Sequence, residues 1–364
     1  MSVDKKIGQL FMTGISGKAL TAEESRFIQE HNIGGVILFS HNYENPAQLA
    51  ELINSIQQLR DDYPLFIATD HEGGRVQRFK EPFSILPSAR DIALLDSPKT
   101  AFFLSKIVAA ELRCCGVNLN FSPVCDILVN AKNKVIGDRA FSNQEDQVTK
   151  FVSSVIRAYK TTDLMCCAKH FPGHGATTKD SHYSLPIVKT TMEELKEREF
   201  KPFVKAVKSR VEFIMMAHLI VDSINPDLPC SLAKEAYEII RRDLKFQKII
   251  ITDDMQMGAI TEHFGLDEAS FMAIEAGADI VEFRDFENTV KSLEYFKKSH
   301  KVKKISNQLI QEKVTRIEKV KKEFLSEYKP TYIPDIQKVM TKKANQLFLD
   351  ELKEKIEEKR LNIQ

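Results

Sequence analysis

The chain has 364 residues, with 52 basic and 51 acidic side chains and a formal net charge of +1 at pH 7. This balance argues against a strongly charged partner, so we predict a small-molecule partner and neither a nucleic acid nor a membrane. Hydrophobic residues make up 43% of the chain, which is enough for a large folded core.

The cysteines and the apolar segments indicate where the protein works. The six cysteines include two adjacent pairs but no Cys-x-x-Cys spacing, which favours reduced and mostly buried thiols. The first residues lack the pattern of a signal peptide, and no segment has the length and hydropathy of a transmembrane helix. We therefore expect a cytoplasmic protein, and we predict that it acts as a monomer.

Short apolar runs alternate with longer amphipathic stretches up to about residue 285, which indicates repeated strand-helix units. The eight predicted strands span residues 9–13, 35–39, 65–69, 117–121, 164–168, 213–217, 249–252 and 279–283. The stretches between them predict helices over residues 22–31, 47–59, 100–112, 147–159, 192–207 and 232–244. Eight such units without a Gly-x-Gly-x-x-Gly loop favour an α/β fold of the TIM-type (β/α)8 barrel over a doubly wound nucleotide-binding sheet.

Ionisable side chains follow the predicted strands at one end of this barrel. They are Asp70, Asp126, Lys169 with His170, His218, and Asp253 with Asp254, after the third to the seventh strand in that order. Enzymes on this fold carry their reactive groups at the C-terminal ends of the strands and in the loops that follow. The pattern therefore predicts an active site at that end.

The loop after the third strand suits the recognition of sugar hydroxyl groups. It combines Asp70 with two glycines and with Arg78, and carboxylate and guanidinium groups hydrogen-bond several hydroxyls in a fixed geometry. A turn held together by salt bridges is the alternative interpretation.

Residues 169–182 contain three histidines, two lysines and an aspartate, and Pro172, Gly173 and Gly175 prevent a helix there. In an extended loop Asp180 and His182 share one face, so the carboxylate could hold one imidazole nitrogen while the other faces a substrate. A metal site is the alternative, because His170, His174, Asp180 and His182 are all ligand types.

The seventh strand delivers two adjacent carboxylates, Asp253 and Asp254. A carboxylate fixed at the rim of the barrel can attack the anomeric carbon of a sugar or stabilise an oxocarbenium ion. Only one of the two has to face the centre, and the other could cap the following helix.

The sequence from residue 301 onward is rich in lysine and glutamate, with helical spacing over residues 313–322 and 347–360. We predict a barrel domain over residues 1–300 and a charged helical C-terminal extension over residues 301–364. Solvated helices that pack on the outside of the barrel and a tail that binds a partner are both open interpretations.

Six stretches together resemble glycoside hydrolase family 3, and in particular its single-domain bacterial beta-N-acetylglucosaminidases of peptidoglycan recycling. They include Lys-His-Phe-Pro-Gly-His-Gly at residues 169–175, Asp-Ser-His at 180–182 and Thr-Asp-Asp-Met at 252–255. The other three are residues 70–78, 121–126 and 136–141, and the six span most of residues 1–290.

The resemblance implies roles at matching positions. Asp253 would be the nucleophile of a retaining reaction, and His182 would be the general acid and base with Asp180 as its orienting partner. The residues that would bind the N-acetylglucosamine ring are Asp70, Arg78, Arg139, Lys169 and His170. Glu282 departs from the family, because its position in the eighth strand is usually apolar, and it could point to the barrel centre or to a helix.

The implied activity is release of terminal N-acetylglucosamine from N-acetylglucosaminides. Muropeptide fragments are the expected substrates, and a chitin disaccharide or another N-acetylglucosaminide is an open alternative. No metal and no cofactor is expected. Two alternatives from other classes remain, namely a metal-dependent hydrolase on the same barrel and a catalytically silent sugar-binding barrel.

Overall fold

Eight parallel strands close into one barrel, and each strand pairs with the barrel strands before and after it in the chain. The computed structural model describes residues 2–60, 63–177, 185–325 and 327–362. The barrel strands are β1 (Phe11–Thr13), β2 (Gly35–Leu38), β3 (Phe66–Thr69), β4 (Leu119–Asn120), β5 (Met165–Phe171), β6 (Phe213–Met216), β7 (Ile249–Asp254) and β8 (Ile280–Phe283). Each overlaps one of the eight predicted runs, so the predicted TIM-type barrel is confirmed.

Helices surround the barrel. They are α1 (Val3–Gly8), α2 (Ala22–His31), α3 (Pro46–Gln57), α4 (Ala89–Leu94), α5 (Pro98–Cys114), α6 (Glu145–Lys160), α7 (Met192–Glu194), α8 (Phe200–Lys208), α9 (Lys234–Glu238), α10 (Gly258–Thr261), α11 (Leu266–Ala276), α12 (Phe286–Lys301), α13 (Asn307–Phe324), α14 (Ile333–Met340) and α15 (Lys343–Leu361). A π-helical turn, Leu195–Glu199, joins α7 to α8, and another, Ile239–Asp243, continues α9. Each predicted helix overlaps one of these elements.

The sequence explains both kinds of element. The barrel strands are mostly apolar and, apart from the end of β7, buried on both sides, as expected for a parallel sheet that encloses a core and is covered by helices. Helix α6 buries Val148, Phe151, Val152 and Val155, whose spacing of three and four residues places them on one face. The fold therefore follows from two hydrophobic patterns, continuous apolar runs in the strands and a spacing of three and four residues in the helices.

Strand β5 is longer than predicted. The prediction ended it at residue 168, but the structure continues it through Phe171, with a bulge between Ala168 and Phe171 where it pairs with β6. The backbone N–H of Cys125 donates to the carbonyl of Lys169 at 2.6 Å, which adds a further contact on the other side. Lys169 and His170 are therefore held inside a strand and not in the loop after it.

Helix α13 covers the N-terminal end of the barrel. The Nζ of its buried Lys321 donates to the carbonyl of Gly34 at 2.8 Å and to Oε1 of Gln9 at 3.0 Å. The Nζ of its buried Lys313 donates to the carbonyl of Ala278 at 2.7 Å. Two lysines of the charged C-terminal sequence thus satisfy carbonyl groups that precede β1, β2 and β8.

The last two helices lie on the outside of the barrel. Helix α14 packs against α3 and α5, and α15 packs against α4. Both are anchored by a few apolar side chains that are buried, Ile336 from α14 and Leu349, Leu352 and Ile356 from α15. Within the described ranges, none of the helices has the combination of length and hydropathy that crossing a bilayer requires.

Asp279 organises the charges at the N-terminal end of the barrel. It is fully buried, and its Oδ2 accepts from the backbone N–H of Ile250 at 2.8 Å and from Arg241 at 2.5 Å. Its Oδ1 accepts from Nε of Arg316 at 2.8 Å. Burial opposes ionisation, but Arg241 and Arg316 hold the pKa of Asp279 below its usual value. The carboxylate therefore joins β7, β8, α13 and the turn after α9.

His71 is buried as a neutral ring beside the loop that follows β3. Its ring lies 5.6 Å from that of Phe79 and 5.8 Å from that of Phe83, and its Nδ1 has no hydrogen-bond partner among the described residues. Burial, together with the charges of Arg78 and Lys80, lowers the pKa of His71 from 6.5 to about 3. The folded protein therefore keeps this imidazole uncharged at pH 5 to 7.

Replacement of the buried Asp279 tests the charge cluster under the barrel. The Asp279→Ala variant should lose ~3 kcal/mol of unfolding free energy, because the two guanidinium groups lose their counter-charge. Denaturant unfolding of both proteins at pH 7 measures the loss. Glu327→Ala is the control, because Glu327 and its partner Lys329 are 75% and 82% exposed, and it should change stability by less than ~0.5 kcal/mol. Equal losses in the two variants would contradict the role of Asp279.

The buried imidazole of His71 predicts a loss of stability in mild acid. The unfolded histidine takes up a proton near pH 6.5 and the folded one only near pH 3, so its contribution is complete above pH 6.5 and falls as the pH drops toward 3. From pH 7 to pH 5 the wild type should lose ~2 kcal/mol more unfolding free energy than His71→Gln. Urea unfolding at pH 7, 6 and 5 measures the difference, and parallel pH curves would refute the explanation.

Candidate active site

A cavity of about 470 Å³ opens at the C-terminal end of the barrel. Six of the eight residues that the sequence singled out for the site line it, namely Asp70, Arg78, Arg139, Lys169, His170 and Asp253. The other two, Asp180 and His182, lie outside the described residues, in the gap between residues 177 and 185. Further residues lining the cavity are His174, Asp254, Glu282 and Arg284.

A buried lysine links the two carboxylates of the loop after β3. The Nζ of Lys169 lies 2.7 Å from Oδ1 of Asp70 and 2.5 Å from Oε1 of Glu72. The other oxygen of Asp70 accepts from Nη2 of Arg78 at 3.0 Å. Burial alone would raise the pKa of Asp70, but Lys169 and Arg78 outweigh it and hold this pKa well below its usual range. Asp70 is therefore a carboxylate at neutral pH.

Glu72 holds Arg139 in a bidentate ion pair. Nε and Nη2 of Arg139 donate to the two carboxylate oxygens of Glu72 at 2.9 and 2.8 Å. Despite burial, Arg139 and Lys169 lower the pKa of Glu72 to about 2. Such fork-to-fork pairs fix the plane of the guanidinium group. Glu72 thus holds Arg139, which comes from the loop after β4, in the wall of the cavity.

His170 has its orientation and its tautomer set by its neighbours. Its Nδ1 lies 2.7 Å from Oδ2 of Asp126, and its Nε2 lies 3.3 Å from Nη2 of Arg139. A guanidinium group only donates, so Nε2 accepts and the proton is on Nδ1, which donates to Asp126. Burial opposes the charge on Asp126, but His170 and His174 keep the pKa of this carboxyl below its usual value.

The loop after β5 packs tightly against the loop after β4. A side chain at Gly175 would meet the carbonyl oxygen of Ile127 at 1.7 Å, so only glycine allows this approach. The backbone N–H of Asn130 donates to the carbonyl of Gly175 at 3.1 Å, and the backbone N–H of His174 donates to Oδ1 of Asp126 at 2.7 Å. These contacts fix the loop as far as Thr177, which is the last described residue before the gap that ends at residue 185.

Asp253 lies near the end of β7 and faces the cavity with an ionised carboxyl group. Its Oδ1 accepts from the backbone N–H of Asp254 at 2.9 Å. Burial would raise the pKa of Asp253, but His170, His218 and Lys169 together lower it. A half-buried carboxylate with a lowered pKa can act as a nucleophile toward an electrophilic carbon at neutral pH.

His218 supports the end of β7 without lining the cavity. Its Nε2 lies 3.0 Å from the carbonyl oxygen of Asp254, which only accepts, so Nε2 donates. Its Nδ1 then accepts from the hydroxyl of Ser231 at 2.7 Å. Burial lowers the pKa of His218, which agrees with a neutral ring. The residue fixes the backbone that carries Asp253 and Asp254.

Asp254 differs from its neighbour. Nε of Arg284 lies 2.5 Å from its Oδ2, and its Oδ1 accepts from the backbone N–H of Gln256 at 3.0 Å. Burial raises the pKa of Asp254 to about 6 although Arg284 opposes the shift. The carboxyl group thus holds the turn before α10 and lines the cavity. It does not cap α10, because the N-cap residue of that helix is Met257, so the predicted capping role is wrong.

Four described residues complete the site although none was among the predicted catalytic or sugar-binding residues: Glu72, His174, Glu282 and Arg284. His174 was considered only as a metal ligand, and the direction of Glu282 was left open. Glu72 follows Asp70 by two residues, and that spacing on a short hairpin is a signal that could have identified it. Arg284 follows β8 by one residue, as expected for the functional end of the barrel.

Of the four candidate metal ligands, His170 and His174 are described, whereas Asp180 and His182 lie outside the described residues. His170 and His174 are neighbours, with ring centroids 6.1 Å apart, but Nδ1 of His170 is occupied by Asp126. Across residues 2–60, 63–177, 185–325 and 327–362, no group of three or more histidine, cysteine, aspartate or glutamate side chains is arranged to hold a metal ion.

Relatives of the chain carry names that agree with a sugar-cleaving site. A protein named beta-hexosaminidase from Idiomarina loihiensis is 35% identical over 275 residues, which cover 74% of this chain and 82% of that protein. Another of the same name from Methylococcus capsulatus is 36% identical over 276 residues, covering 74% and 81%.

Solved structures show the same architecture. A glycoside hydrolase family 3 beta-N-acetylglucosaminidase from Paenibacillus sp. str. FPU-7 has a TM-score of 0.87 and 31% identity, covering 90% of this chain and 63% of that one. NagZ from Neisseria gonorrhoeae, in complex with N-trifluoroacetyl-D-glucosamine, has a TM-score of 0.79 and 28% identity, covering 94% and 96%.

The family is shown by the extent of the match to its sequence model. The model of the Glycosyl hydrolase family 3 N terminal domain matches residues 2–320, which include the whole barrel and every described residue that lines the cavity. The chain therefore belongs to glycoside hydrolase family 3.

Proposed function

We propose that the protein is a retaining exo-acting beta-N-acetylglucosaminidase that releases terminal N-acetylglucosamine from peptidoglycan-derived fragments. The observation that carries the proposal is Asp253, half-buried and ionised, which faces a cavity whose other walls carry fixed hydrogen-bonding groups. Within the family, the names of the relatives support the N-acetylated sugar. The peptidoglycan origin of the substrate rests on the resemblance of the sequence motifs.

In the first half of the proposed reaction, Asp253 attacks the anomeric carbon and the bond to the leaving oxygen breaks. The backbone N–H of Asp254 holds Oδ1 of Asp253, which limits rotation of the carboxylate. A proton passes to the leaving oxygen from His182, with Asp180 as its orienting partner. A covalent glycosyl-enzyme and the free aglycone are the products of this step.

In the second half, His182 takes a proton from water, and the water oxygen attacks the anomeric carbon. The bond to Asp253 breaks and the carboxylate is restored. Two successive inversions at the same carbon retain its configuration. The roles of Asp180 and His182 rest on their spacing and on the motif resemblance.

The sugar ring is proposed to bind Asp70, Arg78, Arg139, Lys169 and His170. Each is held by a partner before substrate arrives: Asp70 by Lys169, Arg139 by Glu72, and His170 by Asp126. Groups fixed in this way lose little entropy on binding, so they can discriminate between hydroxyl positions. The cavity volume of about 470 Å³ is in the range of small-molecule sites.

We extend the proposal to a monomer that works in the cytoplasm on a soluble glycan, with no nucleic acid or membrane as partner. The net charge of +1 is close to zero, so the chain as a whole does not attract a strongly charged partner such as a nucleic acid or an anionic membrane. Light scattering after size-exclusion chromatography measures the mass directly, and a mass of two chains would overturn the monomer.

Hydrolysis assays test the proposed activity. The wild type should cleave a chromogenic beta-N-acetylglucosaminide and not the beta-glucoside, with no effect of a chelator. Asp253→Asn should lower kcat by about 10⁴-fold or more because the nucleophile is lost. His182→Ala should lower it by about 10²–10⁴-fold because the proton donor is lost.

The control is Asp335→Asn. Asp335 lies on α14 with its side chain 59% exposed, so this variant should keep wild-type kinetics. Chelator-sensitive cleavage would favour the metal-dependent hydrolase. Binding of N-acetylglucosamine without turnover would favour the silent sugar-binding barrel.

A further inference from the structure

Glu282 faces the inside of the barrel from β8. Its Cα pairs with that of Met12 in β1 and that of Asp254 in β7. Its backbone N–H donates to Oγ1 of Thr252 at 3.2 Å, and its carbonyl accepts from the N–H of Met255 at 3.0 Å. The next residue, Phe283, stacks on Phe11 with ring centroids 6.1 Å apart. Successive side chains alternate between the faces of a strand, and Glu282 lines the cavity.

The carboxyl group of Glu282 is buried, and one of its oxygens has no partner among the described residues. The residue is 2% exposed, and its Oε1 has no hydrogen bond to any described residue. The other acidic side chains of the site are all held: Asp70 and Glu72 by Lys169, Asp126 by His170, Asp254 by Arg284, and Asp253 by the backbone N–H of Asp254. A buried polar atom without a partner costs free energy, so a partner that arrives with the substrate would relieve the cost.

The surroundings of Glu282 favour its protonated form. Burial raises its pKa well above the ordinary value, and Asp254, Asp70 and Asp253 add to the rise, while Lys169 opposes it. A protonated carboxyl group has an O–H donor and a carbonyl acceptor. Hydroxyl groups of a sugar both donate and accept, so they complement it. A neutral group here also avoids placing another negative charge beside Asp253.

We propose that Glu282 is a specificity-determining residue whose carboxyl group hydrogen-bonds a hydroxyl group of the sugar ring bound against Asp253. The inference deepens the proposed function and rests on it. No proton leaves Glu282 in the reaction, so its contribution is to binding and positioning. A neutral side chain of the same shape with a donor and an acceptor should replace it.

Two variants separate hydrogen bonding from packing and from acid catalysis. Glu282→Gln keeps the shape, the donor and the acceptor but has no acidic proton, and it should keep kcat/KM within about 3-fold of the wild type. Glu282→Leu removes the polar group at similar size, and it should lower kcat/KM for the beta-N-acetylglucosaminide by about 10- to 100-fold. A general-acid role would be indicated by equal losses in the two variants, and it would overturn the proposal.

Deoxygenated substrates identify the contact. The 3-deoxy, 4-deoxy and 6-deoxy forms of the chromogenic substrate are assayed with the wild type and with Glu282→Leu. For one of them the two enzymes should have the same kcat/KM, because the hydroxyl that Glu282 contacts is already missing. Equal losses for all substrates would show that the substitution disturbs the barrel, and wild-type kinetics in Glu282→Leu would show that the residue contacts no sugar.

The experiments distinguish a failure of the proposed Glu282 contact from a failure of the proposed enzymatic activity. Wild-type cleavage of the parent substrate establishes the activity, whatever the variants do. An inactive wild type would overturn the activity, and calorimetric binding of N-acetylglucosamine then tests Glu282 alone. Weaker binding to Glu282→Leu than to the wild type and Glu282→Gln is expected, and equal binding by all three would refute the contact.

Discussion

The site depends on one buried positive charge, the ammonium group of Lys169. It is 1% exposed and lies between Asp70 and Glu72, and its burial is possible because these two carboxylates compensate its charge. Glu72 in turn directs Arg139, and Asp70 directs Arg78. Strand β5 supplies the lysine and the loop after β3 supplies both carboxylates, so the network connects non-adjacent parts of the barrel and fixes the cavity wall before any ligand binds.

Three carboxyl groups on two neighbouring strands differ in protonation because their surroundings differ. Asp253 has a lowered pKa next to histidines and a lysine, Asp254 has a pKa of about 6, and Glu282 has a pKa well above its usual value. Environments that separate the pKa values of neighbouring acids assign them different chemistry. An ionised Asp253 suits attack on carbon, whereas a protonated Glu282 suits donation of a hydrogen bond. Their like charges also explain why the three are not ionised together.

The sequence predicted the barrel well because its strands are brief apolar runs, and it predicted the cavity wall because residues such as Asp70 and Asp253 end those runs. It could not predict partners that are distant in the chain. Glu72 and Arg139 are separated by 67 positions, and their pairing depends on how two loops pack. The inward direction of Glu282 depends on strand register, in which a shift of one residue would reverse it. The extension of β5 through Phe171 depends on a bulge that apolar periodicity does not show.

Trapping the covalent glycosyl-enzyme tests the central claim most directly, namely that Asp253 carries the sugar during the reaction. The wild type is incubated with a fluorinated N-acetylglucosaminyl substrate that forms the intermediate faster than water resolves it, and the peptides are analysed by mass spectrometry. We predict a mass increase of one sugar on the peptide that contains Asp253, with fragment ions that place it on this residue, and none in Asp253→Asn. A label on Asp254 or Glu282, or turnover of the substrate with no labelled carboxyl group, would contradict the mechanism.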